Sequence, residues 1–245
     1  MDALTRLEPV ARPLLRQVDE ALTTLGAPAE HQVWRLLRQV GATPADAVTI
    51  FADLTGADPS VGSLRVAAGA LREQADAYLA ATIPASVPWA GGAGEAYAAR
   101  AAALGSHLHG DGPTDGHLEG RFEGPFDGRD SMAGRLAATA SYVDEVADWQ
   151  ARSRHRIARV LADVLSSAQA VSLRAATGLG AAPGPSAEVL AAADVGAYVL
   201  AAAADALDEG RDLHRAWDER LAELPYRGPV DAGPGRFDAT IRLSH

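Results

Sequence analysis

Small residues recur at steps of three and four through most of this chain, and that spacing sets what it can fold into. Leu64, Ala68, Leu71, Ala75 and Tyr78 keep the period on one side of a short break; Tyr97, Arg100, Ala101 and Leu104 keep it on the other. Side chains at such steps share one face of a helix. The break is V-P-W-A-G-G-A-G-E-A-Y at 87–97. Pro84 and Pro88 cannot continue a helix, whereas Gly91, Gly92 and Gly94 allow tight backbone turns. The spacing predicts two helices folded back on each other, with Trp89 as the apolar plug at the bend.

Hydrophobic residues make up 48% of the chain and aromatics only 5%, because so much of the apolar content is alanine. Alanine forms helices best but buries little area. The expected fold is therefore all-α, an elongated antiparallel bundle of closely packed helices. The 245 residues suffice for one large or two small domains. A net charge of −10 and a pI near 5.1 argue against nucleic-acid binding and against attraction to anionic lipid. With no cysteine there is no disulfide framework and no thiol chemistry. No run looks apolar enough for membrane insertion, and the N-terminus does not read as a secretory signal.

Taken in order, residues 1–56 read as short helices. The first, over 2–25, is interrupted by Pro9 and Pro13; another covers 29–40. A third starts at Thr43-Pro44, with Thr43 as N-cap and Pro44 in the first turn. Residues 57–177 hold the helical hairpin and one long helix over 131–177, with a glycine-, acid- and histidine-rich loop inserted at 105–130. The linker at 178–186 leads to a last long helix reaching residue 224. The tail at 225–245 is irregular, with a short strand or extended arm at its end.

W-A-G-G-A-G-E-A-Y, with alanine-rich amphipathic stretches on both sides, resembles the Trp-x-Gly turn of the WxG family. These are helical-hairpin proteins of type VII secretion in actinobacteria and relatives. Similarity to longer members of that family extends over roughly 57–177, through L-A-A-T-A-S-Y-V-D-E-V-A-D-W-Q-A-R. The resemblance implies a hairpin that pairs with another helical-hairpin protein, or with itself, into a four-helix bundle. It implies contact with the type VII secretion machinery and a secreted or cell-envelope location, the alternative being cytoplasmic. Trp89 and Gly91 match the family's turn, and Tyr97 its downstream aromatic, as turn and partner-contact residues. The family's export signal, a tyrosine with an acid four residues later, is absent: Val146 follows Tyr142 at that distance and Ala202 follows Tyr198. In this family the partner can carry that signal.

His107, His109 and His117, with Asp111, Asp115 and Glu119, are the only ligand-like cluster, but their spacing fits no metal motif. A solvated acidic loop is expected there, with no metal and no cofactor. Asp144, Glu145, Asp148, Arg152, Arg154, Arg156 and Arg159 read as a solvated helix face, Asp148 pairing with Arg152 four residues on. Trp34, Trp149 and Trp217 read as packing residues. No catalytic residues are assigned. The expected function is non-enzymatic partner binding through helix–helix contacts. The alternatives are an intracellular structural or chaperone-like adaptor, and an enzyme or toxin with a metal site in the 105–130 loop.

Overall fold

The computed structural model describes residues 2–54, 60–81, 91–110, 131–178 and 185–224. Among these every regular element is an α-helix: α1 (Ala3–Thr24), α2 (Val33–Val40), α3 (Pro44–Asp53), α4 (Ser60–Ala80), α5 (Gly92–His109), α6 (Met132–Leu165), α7 (Ala168–Gly178) and α8 (Pro185–Ala222). The all-α class therefore holds. The helices belong to two compact units, Met1–Val66 with Val143–Ala216, and Ala67–Tyr142 with Trp217–His245. Trp89, His117 and the tail over 225–245 lie outside the described residues.

The first unit holds the larger core. Asp2 caps α1 by accepting from the Thr5 N–H at 2.9 Å. Leu4, Ala11, Leu14, Leu15 and Val18 then follow one face into the core. Pro9 and Pro13 do not break α1. They lie four apart on the solvent side, where carbonyls that lose a partner can turn to water. α2 ends on Gly41, whose φ of +73° closes the last turn. α3 begins as its sequence indicates: Thr43 Oγ1 accepts from the Asp46 N–H and Pro44 fills the first turn. It buries Ala47, Val48 and Phe51.

α6 supplies Ile157, Leu161 and Val164 to this core, α7 Ala170 and Leu173, and α8 Ala192, Val195, Val199, Leu200 and Ala203. Trp149 on α6 donates to the Ala206 carbonyl on α8 at 2.9 Å, and Tyr198 donates to Asp163 at 3.1 Å. As α6 advances its partners on α8 retreat, so the two run antiparallel here. Two glycines let α8 come close. A Cβ on Gly210 would meet the Trp149 ring at 2.8 Å, and one on Gly196 would stand 3.2 Å from Leu22. α8 is also long and apolar enough to cross a membrane, which corrects the expectation that no stretch is. With 61% of its most apolar window buried, it fits equally a core helix of a folded unit.

The helix expected over 131–177 is two helices, α6 and α7. Ser166 bonds back to the Ala162 and Asp163 carbonyls. Ser167 donates to the Val164 carbonyl and accepts from the Ala170 N–H, so it caps α7. These hydroxyls offer the backbone an alternative to the helical ladder. Beyond the break the buried face changes. Ala170 and Leu173 turn inward, while Val171, which extends the α6 period, is 60% exposed.

Arg154 is not on a solvated face: it is 3% exposed. Its Nε and Nη2 grip the Asp2 carboxylate at 2.6 and 2.9 Å, and Nη2 also donates to Thr5 Oγ1 at 2.9 Å. Nη1 donates to the Phe51 and Ala52 carbonyls, both at 2.7 Å. All five guanidinium N–H groups are thereby used. One side chain of α6 thus ties the start of α1 to the end of α3. Nor does Asp148 pair with Arg152. It meets Arg65 at 2.6 Å, and Arg152 turns to Glu209 on α8.

Among the described residues the second unit buries much less. Among its described residues the buried apolar side chains are Ala68, Ala75, Ala101, Ala133, Ala140 and Trp217. Trp217 packs 5.6 Å from the Tyr142 ring, and the Arg220 guanidinium sits 5.0 Å over its face. α5 extends to His109, past the point where the sequence suggested a loop beginning at 105. His109 Nε2 lies 2.7 Å from the Tyr78 carbonyl, near the end of α4. A hairpin zipped along its whole length would leave these groups about 27 Å apart, the length of an 18-residue helix. In this conformation the far end of α5, rather than its start, meets the end of α4.

Candidate functional site

Of the residues matched to the Trp-x-Gly turn, Gly91 and Tyr97 are described. Gly91 caps α5 with φ +88° and ψ −171°, a conformation open essentially to glycine alone. Tyr97 is half-buried, one and a half turns into that helix. His107 and His109 both sit in the last turn of α5, two residues apart. Side chains at that spacing point away from each other, so the pair does not converge on one ion. Among the described residues no group of three His, Cys, Asp or Glu side chains could hold a metal.

What the structure does assemble is an open groove along α6 and α8 in the first unit, with a volume of about 580 Å³. Arg152, His155, Arg156 and Arg159 line it from α6, with Ala151 and Val160 as apolar surface and Asp163 and Tyr198 at one end. The cationic positions follow from helical spacing: 152, 155, 156 and 159 differ by three and four and share one face. A smaller groove of about 260 Å³ continues past Asp163 and Tyr198, along Val164, Ser167 and Asp194.

The charges within the larger groove are unevenly matched. Arg152 Nε and Arg156 Nη2 both bond to the Glu209 carboxylate, at 2.9 and 3.0 Å. Burial pushes the Glu209 carboxyl up, but the two guanidiniums together outweigh it and hold the group below its ordinary value. The Asp163 carboxylate accepts from the Tyr198 hydroxyl, which raises the phenol's pKa above its ordinary value. Arg159 and His155 make no hydrogen bond or ion pair among the described residues. Three arginines therefore face two carboxylates, one of which already serves a phenol. On a chain of net charge −10, this is a local excess of positive charge.

The sequence signal for this site was the run R-S-R-H-R-I-A-R itself. Reading it as a uniformly solvated face concealed its division, with Arg154 buried on one side and the other cations gathered on the other. Glu209 and Tyr198 carry no signal of their own, because they reach the groove from α8. No protein-family model, curated protein or solved structure matches the chain.

Proposed function

We propose that this is a non-enzymatic protein that works by pairing its helices with another helical protein, or with a second copy of itself, in a WxG-like type VII secretion setting. The observation that carries the reading is how little α4 and α5 bury. Among their described residues only Ala68, Ala75 and Ala101 are buried, while Leu79 and Leu104 stay 41% and 40% exposed. Faces built from alanine and leucine at helical spacing gain most when another helix covers them. The W-A-G-G turn and its resemblance supply the context: a paired, elongated antiparallel bundle, a secreted or envelope-associated location, and no cofactor. In that paired state α5 swings away from its contact with Tyr78 and lies back along α4.

Co-purification from the native host tests this, together with assay of culture filtrate against cell pellet. A co-purifying helical protein, or a stable homodimer, with material in the filtrate supports the proposal. A strict monomer confined to the pellet refutes it. The missing tyrosine–acid signal favours one second reading, an intracellular adaptor, for which a partner is recovered but only from the pellet.

A further inference from the structure

Beyond helix pairing, we infer that the α6–α8 groove of the first unit binds a phosphorylated small molecule, its phosphate held by Arg159, His155 and Arg156. The groove's size is that of a small-ligand site. Arg159 and His155 face it without a partner among the described residues, whereas Arg152 and Arg156 are aimed by their shared bond to Glu209. Guanidinium forks match phosphate oxygens and can engage two at once.

The balance of charge selects the ligand class. Three arginines against Glu209 and Asp163 leave one positive charge, with the His155 ring beside them as a further polar contact. A phosphate monoester offsets this excess and brings three acceptor oxygens, enough to engage Arg159, Arg156 and His155 together, where a carboxylate has only two. Like charges at helical spacing repel one another, so the cluster costs stability while the groove is empty. That cost is recovered when an anion fills it. Ala151, Val160 and the Tyr198 ring provide apolar surface for an organic part, so an ester fits better than the bare ion.

Titration of the full chain by amide NMR with phenyl phosphate, inorganic phosphate and benzoate at fixed ionic strength tests this. Phenyl phosphate is expected to shift amides of α6 around 152–160 and of α8 around Tyr198 and Glu209. Arg159→Gln should weaken its binding about 10- to 100-fold, the worth of one charge-assisted bond. Arg35→Gln, an exposed arginine of α2 outside the groove, should leave it unchanged. Equal binding of inorganic phosphate would make the free ion the ligand and keep the phosphate site. Three results would overturn the inference: no shifts at about 10 mM ligand, which excludes even weak binding; equally tight benzoate; or identical affinity in Arg159→Gln. None of these depends on whether a helical partner exists.

Discussion

Replacing Arg154 by methionine, which keeps an unbranched apolar stem but none of the donors, should destabilise the first unit by roughly 2–5 kcal/mol. The figure follows from what the guanidinium leaves behind. The Phe51 and Ala52 carbonyls, each bonded at 2.7 Å, lose this donor at the end of α3; leaving the buried Phe51 carbonyl unmet costs about 1–3 kcal/mol, and the bond to half-buried Ala52 is worth less. Asp2 contributes less, since its side chain is 48% exposed and water can replace the lost bonds. Lysine at 154 keeps the charge but has three donors for five positions, so it should fall between methionine and the native residue. Urea unfolding followed by far-UV circular dichroism reads these differences as shifts in midpoint. A double-mutant cycle with Asp2→Ala then separates the ion pair from the carbonyl contacts. The expected coupling with Asp2 is the smaller share. The reasoning fails if Arg154→Met unfolds at the native midpoint, or if Asp2→Ala alone reproduces its whole effect.

Four further outcomes are expected. Gly210→Ala should cost about 1–3 kcal/mol by overpacking against the Trp149 ring, despite alanine's better helix propensity, whereas Gly196→Ala, whose neighbours Leu22, Pro44 and Val18 stand farther off at 3.2–3.4 Å, should cost less; paired thermal melts compare them. Bonding to Arg154 holds Asp2 below its ordinary pKa, so its contribution is complete above about pH 4 and lost as pH falls toward the lowered value; Asp2→Asn should flatten that acid limb of the stability curve. Asp19 works in the opposite sense, because burial raises its pKa and its protonation favours the folded state as pH falls; Asp19→Asn should remove that gain when melting is followed from pH 7 downward. Gly91→Ala meets no neighbour, so its cost of about 1–3 kcal/mol should come from backbone strain alone and show as faster amide exchange in the first turn of α5.

Helical class was readable because alanine at helical spacing has few other uses, and the start of α3 was readable because Thr43-Pro44 is a local signal. Features set by distant contacts were not. Arg154 lies one helical step from Ile157 and Ala158, both buried, and that position on the stripe was the clue that it turns inward. Its partner Asp2, however, is 152 residues away in sequence. Nothing local predicts that two prolines in α1 are tolerated, since this depends on which side of the helix the core occupies. The break at Ser166-Ser167 was masked by an apolar period that runs on through Val171, although the hydroxyls end the helix. The groove behaves likewise: its cations were visible as a run, while Glu209 and Tyr198 join them only once α8 is laid against α6.

The notch at Gly210 has a mechanical consequence. Alanine seams are nearly degenerate: slid by one turn, about 5.4 Å, they present much the same surface to a neighbouring helix. Such a slide would put Ala206 or His214 beneath the Trp149 indole, where even one added methyl group collides. A single missing side chain therefore acts as a detent, indexing two otherwise interchangeable rods to one position.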